Sequence, residues 1–231
     1  MLDAPLGGPV CRACWSAVRL CTPPFCRTCG DPLPSWRVVS LALEQCARCR
    51  RHPPLFHAGR TAGEYEGTLR DILQAFKYDD RRALARPLGA LLRAAGADLL
   101  RGADCVVPVP LHAWRRLGRG FNQADALARQ LGAPVVRALS RTRATPPQTG
   151  LTAAARRHNV RGAFRISPLL SRRARARWLA ARTVLLVDDV RTTGATLSAC
   201  AAVLLDAGAR EVRILTVARA APPAAAATRT A

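Results

Sequence analysis

The sequence predicts an α/β protein built on a mostly parallel sheet flanked by helices, preceded by a small cysteine-rich module that binds zinc. Short apolar runs such as Val184-Leu185-Leu186-Val187 alternate with segments of helical spacing, as expected of strands buried on both faces and joined by crossover helices. Six of the nine cysteines form C-x2-C pairs, and all six precede residue 50. Pro53-Pro54 then punctuates the chain, which places a boundary near residue 55. The expected division is a cysteine module over 1–55, an α/β domain over 56–220 and a disordered alanine- and proline-rich tail over 221–231.

The cysteine pairs are Cys11 with Cys14, Cys26 with Cys29, and Cys46 with Cys49. The C-x2-C-x16-C-x2-C spacing of Cys26, Cys29, Cys46 and Cys49 suits a tetrahedral four-thiolate zinc site, and Gly30 directly after Cys29 suits the tight turn of a zinc knuckle. Such a closed site leaves no open position for a substrate, so the zinc is expected to be structural. Cys11 and Cys14 either replace one of the later pairs or form half of a second site, and the sequence leaves both readings open. Cys21 reads as a spare thiol.

Beyond residue 55, a strand is expected within 55–65 and a helix over 68–78, where Leu69, Ile72, Leu73 and Phe76 recur at helical spacing. A helix over 83–95 ends at Gly96. Cys105-Val106-Val107-Pro108-Val109-Pro110 reads as a short buried strand stopped by its prolines. Residues 121–131 read as a helix with Gly120 or Asn122 near its start and Gly132 at its end. Val135-Val136 begins a further strand. Residues 184–187 form a strand that ends at two carboxylates, 197–205 a helix packed on the sheet, and 211–217 the last strand.

Ligands of open parallel sheets collect at the carboxyl ends of the strands. One such end carries Asp188 and Asp189, followed by Thr192, Thr193, Gly194, Ala195 and Thr196 at a helix start. A helix start offers unpaired N–H groups and the positive end of the macrodipole, so it holds a phosphate without a cationic side chain. The threonines add hydroxyl donors, and Gly194 permits a left-handed turn and close approach of the anion. Asp188 and Asp189 can accept hydrogen bonds from two ribose hydroxyls or hold a hydrated magnesium ion. The second end, Pro108-Val109, runs into Arg115, Arg116 and Arg119, which suit a pyrophosphate through bidentate guanidinium contacts. Lys77, the only lysine in a chain otherwise using arginine, is either a compact ammonium required at that place or a chance survivor.

Lys and Arg total 36 against 15 Asp and Glu, a formal net charge of +21, and such a field attracts polyanions. Specific nucleic-acid contact and codon bias spread over solvated faces remain equally open. No apolar stretch is long enough to span a membrane and no signal-peptide pattern opens the chain, so a cytoplasmic protein without stable membrane insertion is expected.

The run Asp188-Asp189-Val190-Arg191-Thr192-Thr193-Gly194-Ala195-Thr196 resembles the ribose-phosphate motif of type I phosphoribosyltransferases, which use phosphoribosyl pyrophosphate and magnesium. Val107-Pro108-Val109-Pro110-Leu111, Arg119-Gly120-Phe121-Asn122-Gln123, the stretch Leu73 to Tyr78, Arg141 to Gln148 and Asn159 to Phe164 then resemble the ComF family of phosphoribosyltransferase-like proteins, associated with natural competence and DNA uptake. The resemblance covers about residues 10–219, and the combination is more specific than any one motif. It implies Asp188 and Asp189 as the catalytic carboxylates at the ribose, substrate contact along the run through Val190 and Arg191, Thr192 to Thr196 at the 5'-phosphate, and action on incoming single-stranded DNA with helicase or channel partners. It departs at the start, where many members carry an additional C-x2-C pair. Two other readings stay open: a nucleobase-salvage transferase, and a zinc-finger DNA binder with an inert domain. Whether turnover occurs is equally open.

Overall fold

The computed structural model describes residues 9–33, 44–78, 81–111, 120–142 and 162–220. The cysteine module contributes two short helices, α1 (Arg12–Ser16) and α2 (Ala47–Arg51). Strand β1 (Ala58–Glu64) and helix α3 (Gly67–Tyr78) follow, then α4 (Ala85–Ala95), α5 (Ala97–Leu100) and β2 (Cys105–Pro108). Next come α6 (Gln123–Ala128), β3 (Leu139–Arg141), β4 (Phe164–Ile166), α7 (Arg172–Trp178), β5 (Thr183–Arg191), α8 (Ala195–Asp206) and β6 (Glu211–Arg219).

The main sheet has the order β1-β6-β5-β2 with every pairing parallel, and β3 and β4 make a separate antiparallel pair. Helices cover both faces. On one side, Leu69, Leu73 and Phe76 of α3 and Leu88 and Leu92 of α4 pack with Leu185 and Val187. On the other, Leu197, Cys200, Ala201 and Leu204 of α8 pack with Val184 and Leu186. This two-sided burial explains why Val184, Leu185, Leu186 and Val187 have no exposed surface and why their run lacks alternation. Cys26, Cys29 and Cys49 belong to the α8-side core. The module also lies along β1: Cys21 N–H donates to the Ala62 carbonyl (2.9 Å) and Glu64 N–H to the Arg19 carbonyl (2.9 Å).

Three expectations change. Strand β5 does not stop at the carboxylates but continues to Arg191, because β6 stays paired alongside it, Asp188 with Thr216 and Arg191 with Arg219. What ends there is β2, whose last partner is Pro108 with Val187. Val135 makes only an isolated parallel bridge to Val106; Pro134, lacking an N–H, cannot extend the ladder backward. Helix α6 is shorter than 121–131, because Gln130 and Leu131 donate three residues back, to Leu127 (2.9 Å) and Ala128 (3.1 Å), and tighten the end into a 3₁₀ turn. The tail over 221–231 lies outside the described residues.

Candidate functional site

Because β2 ends one residue before Asp188, the backbone of β5 loses one neighbour where its carboxylates begin. Pro108 and Val109 line that edge. Val109 N–H donates to the Val187 carbonyl (2.9 Å), and Asn122 Nδ2 donates to the Val109 carbonyl (3.1 Å). Asn122 also caps α6 by accepting from Ala124 N–H (3.0 Å), so one side chain ties the helix start to the strand end.

The two carboxylates fold back on their own backbone: Asp189 N–H donates to Asp188 Oδ1 (2.9 Å) and Val190 N–H to Asp189 Oδ1 (2.6 Å). Lys77 arrives from the last turn of α3 and places Nζ 3.1 Å from Asp189 Oδ2. The same ammonium lies 5.6 Å from the centre of the Tyr65 ring, whose hydroxyl accepts from Gln74 Nε2 (2.7 Å). The only lysine is therefore a member of the acidic site. Burial, reinforced by the charge of Asp189, pushes the Asp188 carboxyl up to about 8, against the opposing charges of Lys77 and Arg141. A cation bound beside the pair would offset the charge of Asp189 and favour the ionised form of Asp188.

The turn over 192–194 leads into α8 through Gly194, which adopts the left-handed conformation (φ 80°, ψ 3°) that a side chain would strain. Thr193 Oγ1 accepts from Ala195 N–H (3.4 Å), while Thr192, Thr193 and Thr196 stay half-buried. The arrangement presents hydroxyls and helix-start amides beside an acid pair, which suits an anion linked to a polyol. Two adjacent carboxylate side chains, once ionised, also suit a hydrated hard cation. Arg141, on β3, stacks over the Phe164 ring (5.3 Å) and contributes its charge at Asp188. Arg115, Arg116 and Arg119 lie outside the described residues.

Arg191 departs from the expectation of a substrate contact. Its side chain is 1% exposed and ion-paired with Asp31 Oδ1, and it approaches Thr61 Oγ1 at 3.4 Å. The reason is β5 itself, whose extension buries Arg191 against the cysteine module. Asp31 further accepts from Arg48 (2.7 Å) and faces Arg219 (3.6 Å). Burial pushes the Asp31 carboxyl up, but the charges of Arg191 and Arg48 outweigh it and hold it below its ordinary value. Sequence reasoning missed Asp31, Thr61 and Arg48; the one available signal was an acid directly after the knuckle glycine.

In the module, the sulfurs of Cys26, Cys29, Cys46 and Cys49 all lie within 4.8 Å of one another, and Cys29 Sγ is 3.7 Å from Cys46 Sγ. Tetrahedral zinc with Zn–S bonds of about 2.3 Å sets sulfurs about 3.8 Å apart, so the four fit the ion. Cys46 N–H donates to Cys26 Sγ (3.3 Å), a contact that favours a thiolate. Hydrogen bonds from Cys29, Cys46 and Cys49 drive the Cys26 thiol far down, while the same crowding drives Cys29 and Cys49 up. The four cannot ionise together without a cation among them. Cys11 and Cys14 are exposed, and neither belongs to a metal-competent cluster among the described residues. Burial raises the Cys21 thiol to about 11, consistent with a spare thiol.

A phosphoribosyl transferase domain model matches residues 117–228, which includes the acid pair and the turn. Competence protein F of Haemophilus influenzae is 30% identical over 221 residues, covering 91% of this chain and 90% of that protein. The chain belongs to the ComF family. DNA utilization protein YhgH of Escherichia coli is 31% identical over 218 residues, covering 89% of this chain and 88% of that protein. Competence protein ComFC of Bacillus subtilis is 26% identical over 203 residues, covering 86% of this chain and 79% of that protein. The ComF assignment spans both the cysteine tetrad and the acidic site. No helix among the described residues is long and apolar enough to cross a membrane.

Proposed function

We propose that this ComF-family protein binds phosphoribosyl pyrophosphate with magnesium at the carboxyl end of β5 and acts in the cytoplasm on incoming single-stranded DNA, together with helicase or channel partners. The observation that carries the reading is the meeting of Asp188, Asp189 and Lys77 with a left-handed Gly194 turn at the start of α8. Acids for vicinal hydroxyls stand beside a phosphate seat, as a ribose 5-phosphate requires. The relatives' printed names, competence protein and DNA utilization protein, supply the DNA side of the reading.

Within it, Asp188 and Asp189 take the ribose hydroxyls, Thr192, Thr193, Gly194, Ala195 and Thr196 take the 5'-phosphate, and Pro108 and Val109 border the pyrophosphate. Magnesium would neutralise the pyrophosphate charge. Lys77 holds Asp189 in place, and Arg141 supplies positive charge opposite the pair. The stretch 1–55 is the zinc-binding module and 56–220 the phosphoribosyltransferase-like domain. The net charge of +21 favours a polyanionic partner.

The test is calorimetric titration of phosphoribosyl pyrophosphate with magnesium into the full chain, followed by an assay of pyrophosphate release with bases and with single-stranded DNA. Binding is expected, and Asp188→Asn combined with Asp189→Asn removes it. An unmodified protein that fails to bind would overturn the reading. Release that depends on a free base would instead assign nucleobase salvage.

A further inference from the structure

We propose that Asp31 is a positioning residue for the phosphate turn, acting through Arg191, and that metal at Cys26, Cys29, Cys46 and Cys49 is what holds Asp31 in place. The inference rests on the reading of 188–196 as a phosphate site, and it links two regions that are otherwise described apart.

Asp31 is where the two halves of the metal site converge. From the first half, Cys26 N–H donates to the Asp31 carbonyl (2.8 Å) and Gly30 N–H to the Cys26 carbonyl (2.8 Å), so Asp31 closes the loop that carries Cys26 and Cys29. From the second half, Arg48 stands between Cys46 and Cys49 and donates to Asp31 Oδ2 (2.7 Å). Its other oxygen, Oδ1, takes Arg191. One carboxylate therefore senses the relative placement of both cysteine pairs, and a metal ion is what pins those pairs together.

Arg191 passes the constraint on. It is the last residue of β5, three before Gly194, and its Cδ lies 3.9 Å from where a Cβ on Gly194 would stand. The guanidinium is turned away from the turn onto Asp31 and Thr61, so it does not serve as an anion ligand. A buried cation that loses its carboxylate must move or draw in water, and the backbone it moves is the entry to the turn. Gly30 and Gly59 make the coupling stiff. A Cβ on Gly30 would meet the Gly59 carbonyl oxygen at 2.3 Å, so the knuckle and β1, which carries Thr61, lie backbone on backbone.

The experiment compares the full chain loaded with zinc, the same chain stripped by chelator under reducing conditions, and Asp31→Asn loaded with zinc. Amide hydrogen exchange is followed over 191–199, and affinity is measured for ribose 5-phosphate and for phosphoribosyl pyrophosphate with magnesium. Asp31→Asn is expected to retain full zinc, yet exchange over 191–199 rises about tenfold and ribose 5-phosphate binds about tenfold more weakly. Stripping zinc reproduces both changes. In Arg191→Met the link is absent, so neither adding Asp31→Asn nor stripping zinc changes the turn further; this arm decides the matter if Asp31→Asn alone fails to fold. Unchanged exchange over 191–199 in zinc-loaded Asp31→Asn, or additive effects in the double variant, would overturn the proposal. Faster exchange in a protein that binds neither phosphate ligand would leave the coupling standing and remove the functional reading instead.

Discussion

Two acid–base pairs flank the same turn, and they are built on opposite terms. Asp31 meets Arg191, Arg48 and Arg219 inside a closed junction, with its partner Arg191 only 1% exposed. Asp189 meets the single ammonium of Lys77 in a half-open site, beside an Asp188 whose carboxyl burial and the charge of Asp189 push up to about 8. Surplus positive charge holds the first acid's carboxyl below its ordinary value. The second site is short of positive charge, and a ligand that brings a cation supplies what is missing. On the proposed reading, one pair fixes the turn and the other receives what the turn binds.

The comparison can be broken most forcefully at the metal. Cys26→Ser removes one of four converging sulfurs, and loss of zinc together with a drop in melting temperature larger than that of any substitution below is expected, because structural zinc binding is coupled to folding. Metal analysis checks it, and full zinc retention would point to Cys11 and Cys14 as ligands. Next in size, Asp31→Ala strands Arg191 and Arg48 while Arg219 keeps Glu64 (2.7 Å), with an expected destabilisation of about 3–5 kcal/mol in denaturant titration. A loss under 1 kcal/mol would mean that water already reaches Arg191.

The pH dependence separates the two acids by sign. Asp31, whose carboxyl is lowered on folding, contributes stability above its unfolded value that is lost as pH falls through its folded value. Asp188 is raised, so the folded state binds the extra proton; its contribution is fully present below its unfolded value, near 4, and is lost as pH rises to about 8. Asp188→Asn is therefore expected to flatten the fall in stability between about pH 5 and pH 8, measured by thermal melts across that range. An unchanged slope would place the titrating group elsewhere. Smallest is an exposed counterpart: Arg137, whose side chain is 66% exposed, pairs with Asp125 at 2.6 Å, and Arg137→Ala should cost less than about 1 kcal/mol.

The sequence made legible what is local. The β5-to-α8 passage, the four-cysteine spacing and the helix expected over 68–78 were readable because strand, turn, helix and knuckle signals act over a few residues. The membership of Lys77 was suggested by its being the only lysine, and Asn122 by its place near a helix start. Asp31 and Arg191 lie 160 positions apart, and no periodicity relates them; an arginine inside a phosphate motif reads as a ligand until a neighbouring module is seen to claim it. The length of β5 was misread for a similar reason, because it is set by how far β6 runs alongside and not by where the apolar run ends.

The contact between residues 19–21 and β1 has one more consequence. Strand β1 is the outermost member of the parallel sheet, and its free side is occupied by the antiparallel bridge Leu20 to Gly63 and the hydrogen bonds around it. A fragment cut at residue 55 would bare a row of unsatisfied strand amides and carbonyls, the template on which chains add to one another. The cysteine module thus doubles as an edge guard, and such a fragment should form sedimenting aggregates where the full chain stays dispersed.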